Sequence, residues 1–100
     1  MKIYVVDKFD TGMLGYTPNR LIMDNIPKVN AILDLTVLAD NDSIINTIED
    51  VQTLNYIEKE LGVKLQPSQV SHIKLEKGDA LIIVLKRGED YYFYEVVLWN

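Results

Sequence analysis

The segment from Lys86 to Asp90 carries the residue types best suited to chemistry on a phosphate. Lys86 and Arg87 come first, and a glycine and two acids follow them. An arginine guanidinium can hold a phosphate through two hydrogen bonds, whereas a lysine ammonium acts as a point charge. The same composition is typical of a solvated turn between two strands, and residue types alone favour that interpretation.

Acid–base chemistry near neutral pH has one candidate by residue type, the single histidine His72. It stands in a strand-like run, where a lone histidine is usually structural or solvated. Asp50 precedes an apolar helical pattern and is predicted to cap that helix, where its charge suits the helix dipole. The acids show no metal-ligand spacing and the chain has no cysteine, so no metal site and no cofactor are predicted.

Further polar and aromatic residues can contribute to a ligand site. Thr11, in the loop from Asp7 to Pro18, can donate a hydrogen bond, whereas Asp7 and Asp10 disfavour an anion. Lys8 and Arg20 can add positive charge, although scattered surface cations are the ordinary expectation. Aromatic side chains near the C-terminus can stack on nucleobases, but burial in a core or interface is the commoner use. They are Tyr91, Tyr92, Phe93, Tyr94 and Trp99.

The strands that must position these residues are predicted from short β-branched and apolar runs. The predicted strands span residues 2–6, 19–24, 70–75, 80–85 and 91–99. The run at 80–85 has no polar alternation, which is typical of a central strand buried on both faces. Turns are predicted at 76–79 and at 86–90.

Two helices are predicted between these strands. The segment Asn25-Ile26-Pro27 predicts the start of the first, with Asn25 as its cap. Its apolar stripe is expected to consist of Val29, Ile32 and Leu33. From Ile44 onward apolar residues recur at helical spacing, but Glu49 and Asp50 can instead start a separate helix that stops at Gly62. In that helix the expected period is followed by Val51, Leu54, Ile57, Glu58 and Leu61.

These patterns predict one α/β domain over residues 1–100, with a small mixed sheet of about five strands flanked by two or three helices. The net charge of -5 argues against a duplex nucleic-acid binder. No apolar run approaches the ~20 residues that span a bilayer, and Asp7 follows the N-terminal apolar run too early for a signal peptide. A cytoplasmic protein without membrane contact is therefore expected.

Several segments, in their order along the chain, are shared with a known family. They are Phe9 and Met13-Leu14 after the opening strand, Ile45-Asn46-Thr47-Ile48 before a helix containing Thr53, Leu61-Gly62, Val70 to Leu75, Gly78-Asp79-Ala80-Leu81-Ile82, Arg87 with acids just after it, and Phe93-Tyr94-Glu95-Val96. Through these segments, which extend over most of the chain, the sequence resembles the small viral and phage anti-CRISPR ring nucleases.

The resemblance implies a homodimer that binds cyclic tetra-adenylate, the second messenger of type III CRISPR systems, and cuts it without metal. In that chemistry a 2′-hydroxyl attacks its adjacent phosphate while the protein orients the attack and protonates the leaving oxygen. A two-fold dimer suits a ring that itself has two-fold symmetry. The implied source is a virus, phage or mobile element, and the implied location is the host cytoplasm.

The resemblance also implies roles for individual residues. Arg87 would clamp a phosphate, with Lys86 and Thr11 as further ligand contacts. Asp90 would orient Arg87 or the attacking hydroxyl. Asp50 stands where the family has its catalytic histidine, and an aspartate is ionised at pH 7 unless burial or a like charge raises its pKa.

Three functions remain open from the sequence. One is a ring nuclease that turns over slowly by positioning alone, since losing a general acid typically costs on the order of a hundredfold or more. Another is a binder that sequesters the messenger. The third is a small dimeric structural or interaction module whose aromatic strand contacts a protein partner.

Overall fold

The computed structural model describes residues 3–39, 44–65 and 73–99, apart from the side chains at 34, 36–39 and 99. Five strands and two α-helices lie in these ranges, and a short 3-10 turn covers Thr11–Met13. In chain order the elements are β1 (Ile3–Val6), β2 (Arg20–Ile26), α1 (Lys28–Ala39), β3 (Ile44–Asn46), α2 (Val51–Leu61), β4 (Ala80–Arg87) and β5 (Asp90–Trp99).

The strands form one mixed sheet in the order β2-β5-β4-β1-β3. The central strand β4 pairs in parallel with β1 and antiparallel with β5, and β1 also pairs in parallel with β3. All four residues from Leu81 to Val84 are buried, which confirms the prediction of a central strand covered on both faces. The fold is thus a single small α/β domain with a five-stranded mixed sheet.

Both helices pack on one face of the sheet. Alternate strand residues such as Val5, Ile82 and Phe93 meet the helices there in one apolar cluster. From α2 the cluster includes Leu54, Ile57 and Leu61, as the sequence period predicted. The other two residues of that period, Val51 and Glu58, are exposed.

The opposite face is covered by chain segments without regular structure. Phe9, Met13 and Leu14 pack there, as do the buried side chains of Ile73 and Leu75. A short parallel bridge joins Leu14 to Leu75, in which the Leu75 N–H donates to the Met13 carbonyl at 2.7 Å. Met13 and Leu14 thus hold the loop after β1 against the core. The predicted strand at 70–75 is not a strand of the sheet in its described part, residues 73–75.

The first helix begins later than its sequence predicted, and it buries a different stripe. Asn25 belongs to β2, which continues to Ile26 because Ile26 pairs with Phe93 in β5. The Pro27 carbonyl accepts the first helical hydrogen bonds. Val29 and Leu33 are 57% and 54% exposed, so the predicted stripe is wrong at these two positions and right only at Ile32. The buried residues are instead Ala31 and Leu35, with Ile32 packed beside them.

Two other boundaries differ from prediction. Ile44–Asn46 is a strand, not a helix, because β1 offers it a parallel partner, and α2 starts separately after Asp50. The predicted turn at 86–90 is shorter, since Lys86 and Arg87 continue β4 and Asp90 begins β5. Only Gly88, with a φ of 64°, and Glu89 form the turn. Neither helix in the described part of the chain is long and apolar enough to cross a membrane.

Candidate functional site

The polar residues suited to ligand chemistry gather at the end of the sheet where the parallel strands stop. Strands β1, β3 and β4 are parallel, so their C-terminal ends lie along one edge, which we call the carboxyl edge. The turn at Gly88-Glu89 lies at this edge, and α2 begins beside it, with four residues between the end of β3 and the start of α2. In open α/β sheets this is the edge at which ligands usually bind.

Asp50 caps α2 at the carboxyl edge, as the sequence predicted. Its Oδ2 accepts a hydrogen bond from the Thr53 hydroxyl at 2.6 Å and another from the Thr53 backbone N–H at 3.2 Å. The hydroxyl bond is the main reason that the pKa of Asp50 lies below its ordinary value. Desolvation opposes that shift, while the backbone N–H groups of Thr53 and Gln52 and the charge of Lys86 add to it. Asp50 is therefore a firmly ionised carboxylate at neutral pH.

Lys86 and Arg87 lie on opposite faces of the sheet because successive strand residues alternate. On the helix side, the Lys86 Nζ donates to the Gln52 Oε1 at 2.9 Å and lies 5.9 Å from the Tyr91 ring centroid. Arg87 is exposed and stands over the ring of Tyr92, 5.8 Å from its centroid. The two cations thus reach the carboxyl edge from different sides.

Aromatic rings continue this edge beyond Lys86. The rings of Tyr56 and Tyr91 are stacked with centroids 3.9 Å apart and planes at 12°. Beside them opens a cleft of about 280 Å³ whose walls include Asn25, Lys28 and Tyr92. Burial raises the pKa of the Tyr56 hydroxyl, so this phenol stays neutral at physiological pH. The aromatic residues near the C-terminus were predicted either to stack on a ligand or to be buried. Phe93 is buried, whereas Tyr92 is 41% exposed.

One stripe of α2 joins these groups into a line. Gln52, Tyr56 and Glu60 recur every four residues, so they share one side of the helix. They contact Lys86, Tyr91 and Lys28 in turn, and the Lys28 Nζ lies 3.2 Å from the Glu60 carboxylate. Sequence reasoning about function missed Gln52, Tyr56 and Lys28. The four-residue recurrence of polar and aromatic residues beside the buried helix face was the available signal.

The other predicted ligand residues are more scattered. Thr11 lines a separate open cleft of about 580 Å³ formed by residues 11–21. Asp10 accepts a hydrogen bond from the Gly12 N–H at 2.8 Å and so holds the turn. Arg20 begins β2, at the end of that strand away from the carboxyl edge. His72 falls outside the described residues.

Acidic side chains are prominent at the carboxyl edge. Glu49 and Asp50 are exposed before α2, and Glu89 and Asp90 are exposed at the turn. Asp90 lies directly across the strand pair from Arg87. An anionic ligand at this edge must therefore be held by Lys86 and Arg87 against four nearby carboxylates.

The architecture defines a class: small proteins of one α/β domain whose five-stranded mixed sheet carries both helices on one face. Its fold is similar to that of B116 of Sulfolobus turreted icosahedral virus (STIV), with a TM-score of 0.83. The similarity covers 100% of each chain at 24% sequence identity, so it establishes the fold. Comparisons with known protein families and with curated proteins gave no match.

Proposed function

We propose that this chain is a protein of a virus or mobile element that binds cyclic tetra-adenylate in the cytoplasm of the infected cell. In this proposal the protein acts as a homodimer, and it cleaves the messenger slowly or not at all, without metal. Support comes from the sequence resemblance to ring nucleases and from a fold similar to an archaeal virus protein.

The observation that carries the proposal is that two cations end β4 at the carboxyl edge, with Lys86 beside the start of α2 and Arg87 on the opposite face of the sheet. Two cations provide partners for phosphates, and the guanidinium can form paired hydrogen bonds with one of them. The stacked rings of Tyr56 and Tyr91 adjoin Lys86, and Tyr92 lies beneath Arg87. The half-buried rings of Tyr56 and Tyr91 and the exposed ring of Tyr92 lie beside cations, which suits a ligand built of bases and phosphates.

The state of Asp50 favours binding over cleavage. A general acid must carry a proton at the working pH, and an aspartate whose pKa is lowered does not. Its carboxylate is also held by Thr53 as the helix cap. Any cleavage would then depend on holding the 2′-hydroxyl in line with the phosphate, with Arg87 stabilising the developing charge and Asp90 orienting the groups.

The test is to incubate excess protein with labelled cyclic tetra-adenylate in EDTA and to separate bound, linear and intact species. We expect binding with little linear product. Arg87→Ala should weaken binding by about tenfold or more, because charge-assisted hydrogen bonds contribute roughly 1.5–3 kcal/mol.

Lys77→Ala is the matched control, since Lys77 is an exposed cation in the turn at the opposite end of β4. Equal affinity of the Arg87 and Lys77 variants would refute the assignment of Arg87. No binding by the unaltered protein would refute the ligand itself.

The alternative function, a non-catalytic interaction module, is favoured by one specific observation. Met23 of β2 and Tyr92 of β5 lie on the sheet face away from the helices and are 47% and 41% exposed. Exposed apolar side chains beside an acidic edge suit a protein partner better than an anion. This function predicts that all cyclic oligoadenylates fail to bind.

A further inference from the structure

Strand β5 continues past the end of its neighbour β2 at the carboxyl edge. The two strands pair as far as Ile26 and Phe93, whereas β5 begins three residues earlier, at Asp90. The Pro27 carbonyl accepts the first hydrogen bonds of α1, so the chain leaves the sheet directly after Ile26. Among the described strands, residues 90–92 therefore have a neighbour only on the β4 side.

The strand register shows which backbone groups of residues 90–92 point to the side that β2 has left. Arg87 and Asp90 flank a two-residue turn and form a hydrogen-bonded pair, and such pairs alternate along β4 and β5. Asp90 and Tyr92 therefore direct their backbone groups toward β4. The N–H and C=O of Tyr91 point the other way, where no residue of β2 pairs with them. A backbone donor and a backbone acceptor are thus available there side by side.

The cleft of about 280 Å³ opens at this position, and its walls come from both faces of the sheet. On the helix face lie the rings of Tyr91, Phe93 and Tyr56, and Tyr56 is stacked on Tyr91. The other face contributes Asn25 and Tyr92, since strand residues alternate between the faces. A flat ring in the place of the missing β2 backbone would therefore lie between Tyr56 and Tyr92.

A nucleobase has the shape and the polar edge that this position requires. Adenine presents one donor, its N6 amine, beside one acceptor, N1, and so can bond to the C=O and N–H of Tyr91 together. Guanine carries a further donor, its N2 amine, which would stay unpaired against the apolar side chains of Ile26 and Phe93. The volume is slightly below the about 300–1,000 Å³ of pockets for drug-sized ligands, so it suits one base and its sugar.

Lys28 supplies a positive charge at this cleft and is the one charged residue among the described residues that line it. Its Nζ lies 3.2 Å from the Glu60 carboxylate, and its side chain is 46% exposed. An ammonium group has three N–H donors, so a phosphate can share it with Glu60. We infer that the cleft binds one adenine nucleotide, with its base bonded to the Tyr91 backbone and stacked on Tyr56, and its phosphate on Lys28.

This nucleotide site goes beyond the proposed function, since it requires neither a cyclic ligand nor a second copy of the chain. Gln52 contacts Lys86, and Glu60 contacts Lys28. Gln52 and Glu60 are eight residues apart in α2, so the two contacts lie about 12 Å apart along the helix axis. The phosphate on Lys28 is therefore separate from a phosphate held at Lys86 and Arg87.

Amide hydrogen exchange with adenosine 5′-monophosphate (AMP) as the probe tests the backbone contact. The Tyr91 N–H has no strand partner and should exchange quickly in the free protein, and saturating AMP should slow its exchange by about tenfold or more. The Phe93 N–H is the internal control, because its pairing with β2 protects it without ligand. The analogue N6,N6-dimethyl-AMP lacks the N6 donor and should bind about tenfold more weakly than AMP.

Calorimetric titration of variants tests the side-chain contacts. Lys28→Ala should weaken AMP binding by about tenfold and adenosine binding by less, because adenosine has no phosphate. Lys59→Ala is the matched control, since Lys59 is an exposed cation in the last turn of α2 and does not line the cleft. Tyr56→Leu keeps an apolar side chain over Tyr91 and should weaken both ligands by about tenfold through lost stacking. Circular dichroism shows whether the variants keep the fold.

The nucleotide site is refuted if millimolar AMP leaves the exchange of the Tyr91 N–H unchanged, or if AMP and its dimethyl analogue bind equally well. Equal affinities of the Lys28 and Lys59 variants for AMP would refute the phosphate contact. AMP binding by a protein that does not bind cyclic tetra-adenylate would refute only the proposed function. Binding of the cyclic messenger without binding of AMP would refute only the nucleotide site.

Discussion

Asp50 is a helix cap whose carboxylate is held by hydrogen bonds to Thr53. The resemblance places a catalytic histidine there, but the aspartate is bound to the hydroxyl and N–H of Thr53. Thr53 is 4% exposed, so its hydroxyl needs a partner inside the protein. The carboxylate thus serves the start of α2, and this local role was predictable because a cap contacts a residue only three positions away.

We expect Asp50→Ala to lower the melting temperature at pH 7, since it removes the acceptor for both Thr53 groups. The lowered pKa fixes the pH dependence. The ionised cap stabilises the fold above the pKa of an unfolded aspartate, about 3.9, and this stabilisation is lost as the pH falls through the still lower folded pKa. The difference between the two proteins should therefore shrink below about pH 4.

Asp50→Asn is the control, because an amide oxygen still accepts from the helix N-terminus without titrating. Thermal melts between pH 2 and pH 7 compare the three proteins. A difference between the Ala variant and the unaltered protein that stays constant over this range would refute the ionised cap.

Lys86 and Arg87 are adjacent in sequence but lie on different faces of the sheet. If both belonged to a turn, they would be expected to line one basic pocket. Because both belong to β4, they lie on different faces, one beside Gln52 and Tyr91 and the other over Tyr92. The extension of β4 to Arg87 depends on pairing with β5, which no local pattern specifies.

The loop after β1 covers the face of the sheet on which neither helix packs. Gly15 holds this loop in place, and its N–H donates to the Leu75 carbonyl at 2.8 Å. A Cβ at position 15 would lie 2.7 Å from the same carbonyl oxygen, which is backbone and cannot turn aside. The close approach of two chain segments therefore requires glycine here.

Gly15→Ala should destabilise the protein by more than Gly62→Ala. At Gly62, which has a φ of 73°, there is open space around the added methyl group, so the cost is conformational and about 1 kcal/mol. At Gly15 the two segments must also separate. Urea unfolding of the two variants measures the difference, and an equal or smaller loss at Gly15 would show that the loop adapts without cost.

The net charge of the whole molecule, -5, limits which ligands the protein can bind. Affinity for duplex DNA depends on neutralising many phosphates, so we expect no binding to a duplex in fluorescence anisotropy at physiological salt. A small cyclic ligand needs only local cations and is not excluded by the total. Binding to a duplex that weakened steeply with added salt would contradict this prediction.

The sequence by itself determined the elements whose signals are local. The central strand at 80–85, the cap at Asp50 and the stop at Gly62 follow from neighbouring residues and were predicted correctly. The period of α2 was correct for Leu54, Ile57 and Leu61. These signals were enough to predict an α/β domain of about five strands.

Only the tertiary structure decided the rest, because it depends on partners distant in sequence. Ile44–Asn46 is a strand because β1 lies beside it. In α1, Ala31 and Leu35 are buried in place of Val29 and Leu33, because the end of β2 at Ile26 determines which side of the helix faces the sheet. The line from Lys86 through Tyr91 and Tyr56 to Lys28 joins four elements, β4, β5, α2 and α1. Periodicity shows which residues share one face of an element, but it does not show which other element that face meets.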